Sequence, residues 1–422
     1  MANSFSKEER VAFENLLEGF QDALVLSRNV SIYNTDQTMM ERTNNTIWRP
    51  QPYIAKSYSG TDMTANFTDY IQLAVPATIG FNQSVPWIMT ATELRDALQE
   101  QRLGDAAKQK LASDINVSVM NVASSQGTLV VKRLAAATGF DDVAQCEAIF
   151  NEQGVNDFDR YLALSTRDYN GMANNLAGRQ TVQGKVQTAY ERAFVGQIAS
   201  FGTYKLDYAN RIAAAAGAGI TIDTRDSAVN YWIPKAVTSS PTTAERLNVD
   251  NRYQTVTVSS TTGIAAGDAF TIAAVNAVHH ITKGDTGQLK TFRVISVTNA
   301  TQMVISPPII SNQVASAASA EYQNCVVNTK ASNSAIVFLN TAAAPINCFW
   351  QKDAIEILPG RYAVPADAGA NVMRASTDQG IELVMQKQYD INTMKTRYRL
   401  DTLYGVVNKQ PEMSGIILFG QV

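Results

Sequence analysis

The sequence predicts an α+β protein whose helical and mixed body is interrupted by an all-β module. Three observations lead there. Helix signals dominate the first two hundred or so residues, strand signals take over from about Ile222 to Cys348, and mixed character returns over residues 349–422. At 422 residues the chain exceeds one ordinary core of about 100–200 residues, so two or three compact units are expected.

The elements follow in order. Ser6 and Glu9 form a capping-box pair, and the helix after them carries Phe13, Leu16, Leu17, Phe20 and Leu24 on one face. Glu14, Glu18 and Asp22 recur at every fourth residue as an acidic stripe, which is either a solvated face or a docking surface for a basic partner. Asn29 to Asn45 is polar and irregular, suiting an extended arm. Trp48 to Trp87 is broken by Pro50, Pro52, Pro76 and Pro86, with Gly60 and Gly80 between. Tyr70 to Val75 alternates like a strand, so this stretch reads as a long hairpin or loop needing support from elsewhere.

Thr90 and Glu93 cap the next helix. Leu111, Ile115, Val119 and Val122 carry it at helical spacing to Gly127, long enough to lie across a sheet. Phe140 to Gln153 is a further helix closed by Gly154. The apolar strand Tyr161–Leu164 precedes a helix through Met172 and Leu176, and Ala189 to Gly196 adds another helical turn or two. Arg211 to Ile220, "RIAAAAGAGI", is a low-complexity junction and a candidate boundary. Within the β module, strands are expected at Thr255–Val258, Phe270–Ala274, Thr291–Val297, Met303–Ile305 and Ala335–Leu339. Gly263, Gly267 and Asp268 mark turns. Beyond it, Ile381–Met385, Thr396–Leu400 and Ile416–Phe419 complete the body.

Composition narrows the function. Charged residues make up 17%, against about 25% in ordinary soluble domains, which suits a surface largely covered by partners, although Asn, Gln, Ser and Thr also solvate a surface. A net charge of −3 argues against sequence-specific nucleic-acid binding as the main activity. Met1 to Arg10 is polar and no apolar run approaches about 18 residues, so neither a secretory leader nor a membrane span is expected. Cys146, Cys325 and Cys348 are odd in number and far apart, implying no disulfide framework and no zinc site. A soluble protein in a reducing compartment is expected.

Catalytic signatures are missing from the sequence. The two histidines, His279 and His280, are adjacent in a loop and read as a surface pair, since neighbours on a strand point to opposite faces. Gly217-Ala218-Gly219 lacks the third glycine, the preceding strand and the acidic residue of a dinucleotide loop. No catalytic, cofactor-binding or metal-ligating residue is assigned, and no cofactor is expected. A self-assembling structural protein, a binding module with an inserted β domain, and an enzyme with an unrecognised site remain, the enzyme least favoured.

Five stretches in the same order carry a resemblance: "ERTNNTIWRP" (Glu41–Pro50), "NVDNRYQTVTVSSTTGIAAGD" (Asn248–Asp268), "TFRVISVTNATQMVISP" (Thr291–Pro307), "NCFWQKDAIEIL" (Asn347–Leu358) and "LYGVVNKQPEMSGIIL" (Leu403–Leu418). Together they resemble the major coat (capsid) protein of lambdoid short-tailed bacteriophages, in the branch with an inserted domain. The resemblance implies the tailed-phage and herpesvirus major capsid fold interrupted by an inserted antiparallel β-barrel domain. It implies an N-terminal arm over 1–47, an extended loop over 48–88, and a spine helix with peripheral domain over 89–139. A first part of the central domain follows over 140–221, the inserted barrel over 222–348, a second central part over 349–380, and a return to the peripheral domain over 381–422.

Function and partners follow from the same resemblance. The chain would assemble as hexamers and pentamers into an icosahedral phage head, through a scaffold-dependent precursor shell that expands as DNA is packaged. Its expected partners are copies of itself, a scaffolding protein, a portal protein at one vertex, and packaged double-stranded DNA through non-specific contacts, with no membrane. The expected location is the virion capsid, assembled in the bacterial cytoplasm. Glu14 and Glu18 fall on acidic positions implied to receive basic helices of the scaffolding protein, although Asn15 stands where the family has a further acid. Where the family's inserted domain carries clustered aspartates for contacts between capsomers, this sequence has Ser239-Ser240-Pro241-Thr242-Thr243 followed by Glu245 and Arg246. The capsomer contact is therefore expected to be polar or apolar at Thr242, Thr243, Glu245 and Arg246, or moved to a loop such as His279–Gln288.

Overall fold

The computed structural model describes residues 10–17, 25–33, 46–55, 57–67, 71–93, 97–178, 196–222, 232–311, 320–327, 333–363 and 371–422. The chain divides into two compact units. The first comprises Met1–Ile47, Ala77–Met120 and Ile355–Val407; the second comprises Trp48–Pro76, Asn121–Ala354 and Asn408–Val422.

In the first unit, helix α1 (residues 10–17) buries Phe13 and Leu16, in line with the expected apolar face. Leu16 lies so close to Gly104 that a β-carbon there would stand 3.2 Å from its Cδ1. Thr90 and Glu93 cap each other reciprocally: the Thr90 amide donates to Glu93 Oε2 at 2.8 Å, and the Glu93 amide donates to Thr90 Oγ1 at 3.4 Å. Helix α2 (Ala97–Gln126) follows, with Leu111, Ala112, Ile115 and Val119 buried on the predicted helical stripe.

The sheet of this unit has six strands. Ser31–Ile32, Ile355–Pro359, Lys395–Asn408, Glu382–Asp390 and Asn371–Ser376 lie side by side, and Phe81–Thr90 also pairs with Lys395–Asn408. That last pairing shortens the extended loop relative to the expected 48–88. Residues 81–90 pair antiparallel with Tyr404 through Lys395, and Trp87 stacks on Tyr398 at 5.4 Å, as Phe81 does on Tyr404. The four prolines between Trp48 and Trp87 suggested a loop; the inward alternation of Val85, Trp87 and Met89 makes a strand.

The second unit holds a six-stranded sheet in the order Leu129–Lys132, Ser414–Leu418, Asn347–Gln351, Arg160–Ser165, Phe201–Leu206 and Gln197–Ile198. Helices α3 (Phe140–Gln153) and α4 (Thr166–Gly178) follow as predicted. Phe150, Phe201 and Phe349 meet in their shared core with Cys146, Leu162 and Met172. The C-terminal strand lies within this sheet, and residues 408–422 fall in the second unit. Its five residues are all buried, and Gly415 is required because a β-carbon would stand 2.4 Å from the Leu129 carbonyl oxygen. Conversely, Ile355–Pro359 and Asn371–Ser376, expected in the central domain, belong to the first unit. An apolar run buried on both faces gives no sequence signal of which sheet it joins. The expected helical turns at Ala189–Gly196 fall, but for Gly196, outside the described residues.

The inserted module is a seven-stranded, wholly antiparallel sheet. Its order is Thr221–Ile222, Ser334–Phe338, Ala269–Val278, Asp285–Asn299, Gln302–Ser306 and Gln254–Thr257, with Cys325–Val327 also pairing with Ala269–Val278. A bridge between Ile222 and Val258 joins the first strand to the end of the last, so the sheet nearly closes into a barrel. Register shifts along Ala269–Val278 and Asp285–Asn299 supply the bends that closure needs. Phe270 and Phe292 stack at 5.6 Å in its core among Ile272, Val294, Met303 and Ile305. The barrel ends at Phe338; Asn347–Gln351, expected in part within the module, lies in the body sheet.

Candidate functional site

Among the described residues no cluster of three or more His, Cys, Asp or Glu could hold a metal ion. The features left to carry function are the surfaces that the module presents and the contacts that hold it in place.

The presented surface is a hairpin. Val237–Ser239 pairs antiparallel with Arg246–Asn248, and all six residues are exposed. The Ser240 amide donates to the Glu245 carbonyl at 2.9 Å, and Ala244 holds a left-handed φ of 55° to close the turn. The structure therefore brings Thr242, Thr243, Glu245 and Arg246 together on one exposed turn. Val237 and Leu247 add apolar surface, at 44% and 54% exposure. An isolated two-stranded ribbon is marginal in water.

The alternative loop is not free in the same way. The sequence reading of His279 and His280 as a surface pair is corrected here. The His280 amide donates to the Gln153 carbonyl at 3.1 Å, and the His279 ring sits over Gly154, where a β-carbon would come within 2.7 Å of it. Gly154 ends α3 with φ 78°, which a side chain disfavours twice over, by strain and by collision. His279 Nδ1 accepts from the amides of Ile281 and Thr282, both at 3.2 Å. Both rings therefore belong to the joint between module and body.

That joint carries residues which motif reasoning did not find. Arg293, 1% exposed, donates from Nη2 to the Ser124 carbonyl at 3.0 Å, from Nη1 to Gly127 at 3.3 Å and from Nε to Gly267 at 3.0 Å. It thereby satisfies the open C-terminal carbonyls of α2 from within the module. Burial lowers its pKa to about 10, against the opposing influence of Cys348 and Asp268, so it stays charged. Lys290, 2% exposed, forms an ion pair with Glu412 of the body. Thr291 Oγ1 donates to the Thr128 carbonyl at 2.8 Å. Asn340 stitches the module's legs, donating to the Ala213 carbonyl at 3.0 Å and Asp268 Oδ1 at 2.9 Å while accepting from the Ala269 amide at 3.1 Å. The signal for Lys290 was present: it lies in phase with Phe292 and Val294 on the inward side of its strand.

The module also braces the stem of the extended loop. Tyr322 donates its hydroxyl to the Ile71 carbonyl, and Leu73, Ile54, Ile310, Tyr322 and Trp232 form a small apolar cluster. Farther out, Tyr53, Tyr58 and Phe67 are 56%, 41% and 85% exposed. On the arm, Glu14 is exposed on α1, while Glu18, Asp22, Ser6 and Glu9 fall outside the described residues. Cys146, Cys325 and Cys348 are free thiols, all buried. Burial raises all three pKa values, those of Cys325 and Cys348 to about 12, so they stay protonated and unreactive.

Comparison with known proteins gives this architecture its class. The family described as P22 coat protein, gene protein 5, matches residues 1–420. The molecule is a phage major capsid protein, with the tailed-phage capsid fold and an inserted antiparallel barrel. More particularly, the chain belongs to the P22 coat protein family. Among solved structures, it is similar to one from Mycobacterium phage Che8 at 9% identity, over 93% of this chain and 90% of that one, with a TM-score of 0.44. A virus-like particle from Pyrococcus furiosus matches at 8% identity over 98% and 100% of the two chains, with a TM-score of 0.41. The CUS-3 coat protein I-domain is 38% identical over 29% of this chain and 95% of that one, with a TM-score of 0.21. Family and fold are structural rather than enzymatic.

Proposed function

We propose that this capsid subunit assembles as hexamers and pentamers into an icosahedral head, through a scaffold-dependent precursor shell that expands on DNA packaging. The carrying observation is the hairpin Val237–Asn248, exposed but for the half-buried Ser240 and with two apolar side chains turned to solvent. Such a ribbon gains stability by docking on a neighbour, and we assign it the contact between capsomers, through Thr242, Thr243, Glu245 and Arg246. With one acid and one base at the turn, this contact is mainly polar and apolar rather than ionic. Copies of the chain, a portal protein at one vertex and non-specifically held double-stranded DNA complete the partners, in a particle built in the bacterial cytoplasm.

Scaffold recruitment falls to the acidic side of the N-terminal helix. Glu14 is exposed there, and Glu18 lies four positions on in sequence, the spacing at which a helix brings two side chains to one face for one cationic helix. Exposed ion pairs contribute about 0.2–1 kcal/mol each, and the many copies in a shell multiply that. Sedimentation and negative-stain microscopy test the reading. The subunit mixed with its scaffolding protein should give closed shells, and Glu14→Lys with Glu18→Lys should give a folded subunit that takes up less scaffold and misassembles. A subunit that stays monomeric under assembly conditions would contradict the capsid reading. Normal scaffold uptake by the double variant at low and high salt would reduce the stripe to a solvated face.

A further inference from the structure

The loop edge of the inserted module rests on the body through a small group of ionisable side chains. Lys290, on the strand Asp285–Asn299, is 2% exposed and pairs with Glu412, on the turn Pro411–Met413 of the body. His280, in the loop after Ala269–Val278, holds the body by its backbone amide. Its Nε2 is out of contact with solvent and has no hydrogen-bond partner. Lys283 of the same loop donates to the Gln323 carbonyl at 3.0 Å. The other titratable or charged groups around this cluster among the described residues include His279, over Gly154; Glu321, which acts on Lys283; Cys325, buried on the strand Cys325–Val327; and Arg252 and Asp353, which line the same cavity as His280 and Glu412. Among the described residues, Glu412 acts on His280 and Lys283 and pairs with Lys290, and Glu321 also acts on Lys283.

We propose that this cluster is an acid-sensitive latch: proton uptake by His280 and Glu412 frees the loop edge of the module from the body, while the Arg293 anchor holds the rest in place. The physical reason is charge balance in a buried site. With the imidazole neutral and Glu412 ionised, one anion answers Lys290. A proton on His280 adds a cation beside two ammonium groups, and a proton on Glu412 removes their counter-charge.

The direction of the response follows from the protonation equilibria. Burial lowers the His280 pKa from its ordinary 6.5 to about 4; Glu412 opposes that shift and Lys290, Lys283 and His279 reinforce it. For Glu412, burial pushes the carboxyl up, but Lys290, His280 and Lys283 together hold it below the usual carboxylate range. Both groups therefore bind protons more weakly in the closed state, so closure weakens as pH falls through this interval. Lys283, lowered to about 8 by burial, changes charge only on the alkaline side. Arg293 keeps its charge throughout, being lowered only to about 10.

The three buried cysteines report on the event separately. Cys325 interacts with Lys290 and Glu412, Cys348 interacts with Arg293, and Cys146 lies in the body core. The full chain, reacted with dithiodipyridine at about pH 7 and about pH 4, should label Cys325 at least tenfold faster in acid relative to a small free thiol at the same pH, with Cys146 and Cys348 still protected. His280→Gln should shift the onset of Cys325 labelling to lower pH. Lys290→Met with Glu412→Leu, which replaces the pair by apolar groups, should remove most of the acid response while keeping Cys325 protected. Simultaneous labelling of all three cysteines would mean global unfolding, and unchanged protection of Cys325 would mean that no latch opens. Either result overturns the proposal, as does an acid response that the two variants leave intact.

Discussion

At one end of the inserted module, Val237–Ser239 and Arg246–Asn248 pair with every side chain exposed. At the other, Lys290 and Arg293 are 2% and 1% exposed and bonded to the body. The same β module thus carries a joint whose groups are satisfied within one subunit and a hairpin that, on the function proposed above, a neighbouring subunit completes. Buried cations must find their partners inside the chain, because leaving one unpaired is costly. An exposed ribbon with a nearly uncharged turn can leave its partners to a neighbouring subunit. The contrast separates residues that fix the module's position from residues that position it for use.

Breaking the fixed end should have the largest effect. Arg293→Met removes the donors to Ser124, Gly127 and Gly267 and leaves buried carbonyls unsatisfied, which should cost about 3–5 kcal/mol. Denaturant unfolding of the subunit measures this, and a loss below about 1 kcal/mol would mean that the joint does not depend on the guanidinium. At the presented end, Val237→Ser with Leu247→Ser should change subunit stability by no more than about 0.5 kcal/mol, as for ordinary surface substitutions. Shell yield by sedimentation should nevertheless fall. Unchanged yield would show that these two side chains face solvent in the particle as well.

The contrast also marks how far the sequence could be read. Periodicity placed α2 and α3 closely, and it located the barrel strands although Ala269–Val278 is buried on both faces along most of its length. Leu111, Ile115 and Val119 fall on the predicted stripe with no exposure. Strands buried on both faces lost that signal, so Ser414–Leu418 and Ile355–Pro359 gave no sign in sequence of which sheet each joins. Thr242 to Arg246 stood out as a departure from a known pattern, but that they close a hairpin emerges only from the fold. The joint was not legible: His279 and His280 looked like a surface pair because nothing nearby in sequence points to Gly154, more than a hundred residues away. Lys290 and Glu412 become partners only through the fold, across 122 positions.

Amide hydrogen exchange on the free subunit and on the assembled shell tests the contrast most directly. In the free subunit, the amides of Val237–Asn248 should exchange quickly, while those of Lys290–Val294 are protected by the barrel and the joint. In the shell, the hairpin amides should slow by at least about tenfold as a neighbour covers them, with Lys290–Val294 protected in both states. Hairpin amides that exchange equally fast in shell and subunit would contradict the account.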